Sequence, residues 1–147
     1  MAKNVSMSRA RHNARRCALQ AVYQWQVGGQ DMADIESQFL GEDEITRADP
    51  AYFGLLVRGV AAHAAALDEH LRPFLDRSPA ELDPVELAIL RIATQELAHH
   101  PEVPYRVVIN EAVELAKAFG AEQSHRYVNG VLDKVARVLR RAEIKTV

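Results

Sequence analysis

Apolar residues recur at intervals of three and four along most of this chain, which is the spacing of one face of an α-helix. A first helix is predicted over residues 8–27, ending at Gly28 and Gly29. Its apolar stripe consists of Ala10, Ala14, Cys17, Ala18, Ala21 and Trp25. A short second helix is predicted over 33–40. No segment shows the strict alternation of apolar and polar residues that a half-buried strand would have.

Two Asp-Pro pairs mark the starts of the next two long helices. The carboxylates of Asp49 and Asp83 can accept the free amide hydrogens of a first turn, and proline suits the first helical position. The helix that follows Asp49 is predicted to bend near Pro73. The helix that follows Asp83 is apolar on nearly every side as far as Leu97, which indicates a central position in the fold.

Two further helices are predicted over 104–119, ended by Gly120, and over 124–142. Phe119 belongs to the inner face of the first and Val138 to that of the second. Gly130 lies inside the last helix at a cost of about 1 kcal/mol relative to alanine, which suggests close helix packing. The pattern predicts an all-α fold, a compact bundle of about six or seven helices in a single domain over 1–147, with loose tails at about 1–7 and 143–147.

Composition narrows the class of protein. A chain of 147 residues that is 48% hydrophobic can bury a sizeable core. Its single cysteine, Cys17, cannot form an internal disulfide, which favours a reducing compartment. The basic N-terminus lacks the apolar run of a signal peptide, and no apolar segment approaches the roughly 20 residues that cross a bilayer. We therefore expect a cytoplasmic protein without a membrane partner.

The sequence offers little for catalysis. Neither common glycine-rich phosphate loop is present. His99 and His100 are adjacent, so on a helix they point about 100° apart and cannot chelate one metal ion together. Cys17 falls on the apolar stripe of the first helix, where a cysteine behaves as a small hydrophobe. We expect a binding protein without cofactor or metal rather than an enzyme.

Charge is distributed unevenly along the chain. Five of the 18 Lys and Arg residues lie in the first 30 positions, whereas all 20 Asp and Glu residues lie beyond them. The five are Lys3, Arg9, Arg11, Arg15 and Arg16. Such a cluster can displace counterions from phosphates and is typical of an arm that binds a polyanion. An ordinary solvated helix face explains the charge alone equally well.

Helical phasing adds detail to this basic arm. Arg9, Arg15 and Arg16 fall opposite the apolar stripe, and Arg11 lies at its border. Leu19 and Tyr23 fall on the same basic face. An exposed leucine and an exposed aromatic ring on a charged face suggest a contact surface. The alternative is that another helix of the same protein covers both.

The last helix carries a second group of cations opposite its apolar side. These are Arg126, Lys134, Arg137, Arg140 and Arg141. Tyr127 lies at the seam beside Lys134, and Lys117 adds charge on the preceding helix. Tyrosine beside arginine and lysine is the combination that binds single-stranded RNA, with a ring for the base and cations for the backbone. A half-buried position at the edge of the core is the simpler explanation of Tyr127 alone.

Three segments resemble the NusB family of transcription antitermination factors. They are the first helix, RARHNARRCALQAVYQWQ, the segment from Asp49 through LAILRIATQELAHH, and VPYRVVINEAVELAKAFGAEQSHRYVNGVLDKVARVL at 103–139. The resemblance covers residues 9–139. It implies an all-helical protein without catalytic activity that binds boxA RNA of ribosomal or phage transcripts together with the ribosomal protein NusE. It also implies read-through by an RNA polymerase elongation complex that contains other Nus factors.

The resemblance also implies roles for individual residues. The arginine-rich motif of the family falls on Arg11, Arg15 and their neighbours, and Tyr23 and Glu86 match positions at the NusE interface. Arg16 occupies a position where related chains can carry an acid. Combined with the phasing, the predicted RNA-binding residues are Arg9, Arg11, Arg15, Arg16, Lys117, Arg126, Tyr127 and Lys134. The predicted partner-binding residues are Leu19, Tyr23 and Glu86.

Two other functions stay open at this point. Some RNA methyltransferases carry a NusB-like RNA-binding domain, although this chain shows no Rossmann-type half. A protein-interaction module without RNA affinity would place its basic face against a protein partner. An exposed surface at Leu19 and Tyr23 could also support a homodimer of the free protein.

Overall fold

The computed structural model describes residues 6–145, and this part of the chain contains seven α-helices and no strand. The helices are α1 (Met7–Gly28), α2 (Met32–Leu40), α3 (Pro50–Leu71), α4 (Pro84–His99), α5 (Tyr105–Phe119), α6 (Ser124–Leu139) and α7 (Arg141–Lys145). Short 3₁₀ turns lie at Asp43–Arg47, Arg72–Phe74 and Pro79–Glu81. The predicted all-α fold is confirmed. The bend expected near Pro73 takes the form of the 3₁₀ turn that follows α3.

Backbone contacts divide the chain into two compact units, Met1–Ala62 and His63–Val147. The boundary falls inside α3. The single domain expected over 1–147 stays a prediction.

In the first unit, α1 packs against α2 and against the 3₁₀ turn Asp43–Arg47. The rings of Phe39 and Phe53 lie 5.8 Å apart between centroids in its core. Asp49 begins α3 as predicted, because its Oδ1 accepts the amide hydrogen of Tyr52 at 3.0 Å. The amide of Asp49 in turn donates to the carbonyl of Ala10 in α1 at 3.1 Å. The start of α3 is therefore tied directly to α1.

In the second unit, α4, α5 and α6 pack against one another. The predicted central position of α4 is confirmed, because ten of its residues are buried. These are Leu87, Ala88, Ile89, Leu90, Ile92, Ala93, Thr94, Gln95, Glu96 and Leu97. The core placement of Phe119 and Val138 is wrong, since 37% and 53% of these residues are exposed. Each lies in the last turn of its helix.

The segment Pro50–Phe74 is long and apolar enough to cross a membrane by length and composition, contrary to the sequence expectation. Most of its large apolar side chains are nevertheless packed inside the protein, although Leu55 is 49% exposed. Phe53, Leu56, Val57, Val60, Leu67 and Leu71 have no exposed surface. A buried core helix passes the same test of length and composition, so the segment is weak evidence for a membrane span.

Both ends of the described chain hold more structure than the predicted loose tails. The hydroxyl of Ser6 accepts the amide hydrogen of Arg9 at 3.1 Å and caps α1. Glu143 in α7 accepts the amide hydrogen of Tyr105 at 2.9 Å, and this hydrogen bond holds the pKa of Glu143 below its usual range. The tail prediction is therefore wrong for residues 6–7 and 143–145. Its other positions, 1–5 and 146–147, lie outside the described residues, and so does Lys3.

Arg140 closes the C-terminal end of α4. Its Nε donates to the carbonyl of Leu97 at 2.8 Å, and its Nη2 donates to the carbonyls of His100 at 2.9 Å and Glu96 at 3.2 Å. Its Nη1 pairs with Glu143. The placement of Arg140 on the exposed side of the last helix is wrong because α6 ends at Leu139, where the helical phase stops. The buried cation supplies hydrogen bonds that the end of a helix lacks.

Replacing this cation should destabilise the protein. We expect Arg140→Ala to lower the free energy of unfolding by about 2–4 kcal/mol, because three carbonyls of the α4 end lose their donors and Glu143 loses its partner. Urea unfolding followed by circular dichroism measures the change. Arg141→Ala, at the exposed neighbouring position, is the control and should change stability by less than about 0.5 kcal/mol. Equal stability of the two variants would contradict the capping role.

Candidate nucleic-acid interface

The first helix is buried over a wider face than the apolar stripe predicted. Ala14, Cys17, Ala18 and Ala21 are buried as the stripe predicted. Arg15 and Leu19, predicted to be exposed, are each only 3% exposed. The expectation that they lie on the outer face is therefore wrong, and for Leu19 the alternative of internal cover is right. A helical wheel locates the apolar stripe but does not show how many neighbours cover a helix.

Arg11 and Arg15 both lie over the ring of Tyr52 at the start of α3. The Cζ atoms of the two arginines are 4.3 and 5.5 Å from the ring centroid. The Nε of Arg11 also lies 4.0 Å from the Oδ2 of Asp49. Tyr52 itself is 2% exposed. Two of the predicted RNA-binding arginines are thus held by cation–π contacts within the first unit.

Arg9 and Arg16 are exposed, as predicted, and they line one open groove of about 650 Å³. The 3₁₀ turn Asp43–Arg47 forms the opposite wall. The lining residues are Ser6, Arg9, Asn13, Arg16, Cys17, Gln20, Glu44 and Arg47. Arg47 was not predicted as a site residue because it is a single cation that follows an acidic stretch and does not share a helix with the arm.

Cys17 contributes to the wall of this groove but is only 7% exposed. Burial raises the pKa of its thiol, and the nearby carboxylate of Glu44 raises that pKa further. A thiol held in its neutral form is a poor nucleophile and a poor metal ligand. The chemistry of the groove therefore comes from its arginines, its amides and the carboxylate of Glu44.

The predicted protein-contact residues have different surroundings. Tyr23 is 40% exposed, so its predicted exposure is confirmed. Val27, four residues further along α1, is 55% exposed and forms an apolar ridge with Tyr23 that the sequence analysis did not identify. Glu86 in the second unit is half-buried, and its Oε2 accepts the hydroxyl hydrogen of Ser124 at 2.6 Å.

Tyr127 lies half-buried at the edge of the second unit, in agreement with the simpler of its two explanations. Its hydroxyl donates to Oδ1 of Asp76 at 3.0 Å and accepts the amide hydrogen of Asp76 at 3.3 Å. The Cζ of Arg77 lies 5.4 Å from the ring centroid. Hydrogen bonds from Arg77 and Tyr127 hold the pKa of Asp76 below its usual range, and partial burial raises the pKa of Tyr127. The aromatic ring is thus fixed in position with a cation already beside it.

Arg126 and Lys134 are exposed on α6, two turns apart. A Cβ at Gly130, midway between them, would meet no neighbouring atom within 4 Å, so the close packing expected there is wrong. Lys117 on α5 is also exposed, with its Nζ 3.8 Å from Oε2 of Glu114. The second unit thus presents exposed cations of its own.

No group of three or more side chains able to hold a metal ion occurs within residues 6–145. His63 and His99 are brought together, with ring centroids 4.3 Å apart in a stacked pair. The Nδ1 of His63 lies 3.1 Å from Oε1 of Gln95. Burial lowers the pKa of His99. Burial at α4 therefore favours the neutral form of the His99 imidazole.

The fold and the surface define a class of protein: an all-helical protein in which three exposed arginines, Arg9, Arg16 and Arg47, line an open polar groove suited to a polyanion. The NusB family model matches residues 12–137. The chain belongs to the NusB family, and the resemblance found in its sequence is confirmed.

Individual relatives agree with this assignment. The chain is 56% identical over 131 residues to the transcription antitermination protein NusB of Idiomarina loihiensis, covering 89% of this chain and 94% of that protein. It is 56% identical over 140 residues to the NusB of Nitrosococcus oceani, covering 95% and 94%. A crystal structure of the antitermination factors NusB and NusE in complex with double-stranded RNA matches with a TM-score of 0.81 and 27% identity, covering 88% of this chain and 98% of that chain.

The burial of Arg15 has a consequence for stability. We expect Arg15→Ala to lower the free energy of unfolding by about 1–3 kcal/mol, because it removes a buried side chain that packs over Tyr52. Urea unfolding measures this change. Arg9→Ala removes an exposed arginine from the same helix and should stay within about 0.5 kcal/mol of the parent. If the two variants unfold alike, Arg15 does not have the structural role that its position indicates.

Proposed function

We propose that the protein is a non-catalytic antitermination factor that binds boxA RNA of ribosomal RNA transcripts together with NusE. The bound complex promotes read-through by an RNA polymerase elongation complex with other Nus factors, in the cytoplasm. The observation that carries this proposal is the set of exposed cations in each unit, Arg9 and Arg16 in one and Arg126 and Lys134 in the other. Family membership and the related complex of NusB, NusE and RNA support the same function.

The exposed and the buried cations have different roles in this proposal. Exposed guanidinium and ammonium groups at Arg9, Arg16, Lys117, Arg126 and Lys134 contact RNA phosphates, since they can exchange water and counterions for phosphate oxygens at little desolvation cost. Such contacts supply affinity with little sequence preference.

Arg11 and Arg15 act differently, because both are engaged by Tyr52. They hold α1 in place beside α3, and the partly exposed Arg11 adds positive potential at the surface. Tyr127 offers a ring for base stacking only on the area that Arg77 leaves accessible.

The NusE contact is proposed at the apolar ridge of Tyr23 and Val27. An aromatic ring beside an aliphatic side chain on an exposed helix face is typical of the centre of a protein interface. Leu19 contributes by packing beneath this surface rather than by direct contact, since it is buried. Glu86 of the second unit, whose carboxylate is held by Ser124, is proposed as a separate NusE contact. The same ridge could support a homodimer of the free protein.

The two alternative functions make different predictions. The NusB relatives named as antitermination proteins match over 94% of their own length, which favours that function over a methyltransferase domain. A module that binds protein alone would show no RNA affinity with or without NusE.

RNA binding should be electrostatic. We expect the protein to bind boxA RNA with an affinity that falls steeply as salt rises, and Arg126→Ala with Lys134→Ala should lower the slope of log K against log salt by about 0.7 per lost contact. Fluorescence anisotropy of labelled RNA between low and moderate salt measures both quantities, with single-stranded and double-stranded boxA compared.

The control for this experiment is Arg72→Ala, which removes an exposed arginine that pairs with Glu69 at 3.1 Å. It should leave the affinity and the slope unchanged. Absence of RNA binding by the parent protein, both alone and with NusE, would overturn the proposed function.

NusE binding should depend on the ridge of α1. We expect Tyr23→Ala to weaken the complex by about tenfold or more, because it removes an aromatic ring from the proposed interface. Analytical ultracentrifugation of the protein alone and mixed with NusE gives both the heterodimer affinity and any self-association. Val138→Ala removes an apolar side chain of α6 that is 53% exposed and should leave the complex intact. A Tyr23→Ala variant that sediments with NusE like the parent would contradict the interface.

A further inference from the structure

The groove of the first unit has two walls of different origin. On α1, Arg9, Asn13, Arg16 and Gln20 are separated by four, three and four residues, so their side chains form one ridge along the helix. Opposite this ridge, Glu44 and Arg47 lie three residues apart in the 3₁₀ turn. The groove is therefore a defined polar cleft. One wall is a helical ridge, and the other carries two charged side chains.

Hydrogen bonds fix the two walls relative to each other. The Nδ2 of Asn13 donates to the backbone carbonyl of Arg47 at 2.9 Å. Next to it, the amide of Asp49 donates to the carbonyl of Ala10 at 3.1 Å. The backbone that carries Arg47 is therefore held against α1 in the free protein. A preformed site loses less conformational entropy on binding than one that must close around its ligand.

The charges of the groove select an anion. Three of the lining side chains are cations, Arg9, Arg16 and Arg47, and one is a carboxylate, Glu44. Glu42 is a second nearby carboxylate, since its charge also raises the pKa of Cys17, so positive charge still predominates. Within residues 6–145, no carboxylate forms an ion pair with Arg9 or Arg47, and both side chains are exposed. Arginine guanidinium groups match the oxygen atoms of a phosphate with two parallel hydrogen bonds.

Glu44 restricts the choice of anion further. A carboxylate would repel a simple phosphate, whereas it accepts a hydrogen bond readily from the exocyclic amino group of a nucleobase. Gln20 on the facing wall can donate to and accept from the edge of the same base. A volume of about 650 Å³ leaves room for a base and its phosphate together.

We infer that this groove binds one nucleotide of the RNA, with its phosphate on Arg16 and Arg47 and the amino edge of its base toward Glu44. The inference rests on the proposed RNA-binding function and extends it to Arg47 and Glu44. It proposes a base-reading element in the groove in addition to the stacking ring proposed at Tyr127.

The test measures binding of boxA RNA to the full chain by anisotropy. We expect Arg47→Ala to weaken binding by about threefold to tenfold and to lower the salt slope by about 0.7, as for the loss of one phosphate contact. Arg47→Lys should recover the slope because it keeps the charge. The matched control is Arg58→Ala, an exposed arginine of the same unit that pairs with Glu36 at 3.3 Å outside the groove. It should bind like the parent.

The Glu44→Ala variant tests whether the carboxylate binds a base or only repels the RNA backbone. Removing a carboxylate that only repels RNA would tighten binding, whereas removing one that accepts a base amino group should weaken it by about threefold or more. Photo-cross-linking with 4-thiouridine RNA supplies a second measurement, with adducts expected on the peptides that carry Gln20 and Glu44. Urea unfolding of each variant confirms that it folds.

The outcomes distinguish the two proposals. Suppose that RNA binding by the parent protein weakens with salt but that Arg47→Ala binds as tightly as the parent. This result would overturn the groove site without contradicting the proposed function. Tighter binding by Glu44→Ala would overturn the base contact, and cross-links confined to the second unit would overturn the site as a whole. If the parent protein does not bind RNA, both proposals fail.

Discussion

The contacts of Asp49 hold the first unit together. Its carboxylate starts α3 by accepting the amide hydrogen of Tyr52, its own amide binds the carbonyl of Ala10, and its second carboxylate oxygen faces Arg11 at 4.0 Å. These contacts place the ring of Tyr52 under the arginines of α1. They also fix the position of the 3₁₀ turn Asp43–Arg47 against the same helix. The two arginines over Tyr52 and the open groove both depend on these contacts, together with the hydrogen bond from Asn13 to the carbonyl of Arg47.

Two groups of arginines in this protein differ in burial, and therefore in the cost of removing them from water. Arg15 and Arg140 are buried, and each is compensated, one by an aromatic ring and one by three carbonyls and a carboxylate. A buried cation without such partners would be strongly destabilising. Arg9, Arg16 and Arg47 keep contact with water, so they can exchange it for phosphate oxygens. The number of arginines along a helix therefore overstates the number available to a ligand.

A net charge of −2 does not describe the electrostatics of this molecule. Screening limits the influence of exposed charges to about 10 Å at moderate salt, so local clusters decide which ligands approach. Phosphate contacts supply affinity, while sequence preference requires contacts to base edges or contributions from a partner protein. The proposed roles of Glu44 and of the Tyr23 ridge follow from that division.

Sequence alone was sufficient to predict the helices, their starts at Asp49 and Asp83 and the central position of α4, because helical spacing and capping are local properties. It was also sufficient to recognise the family, because the family motif is long. It could not determine that Leu19 and Arg15 are covered, that Arg140 turns back onto α4, or that Arg47 and Arg16 line the same groove. Those facts depend on which elements pack together and on where each helix ends, and helical phase carries no information beyond the last turn. The tertiary structure was needed to tell which arginines stabilise the protein and which are exposed to a ligand. That difference depends on burial by residues that are distant in the sequence.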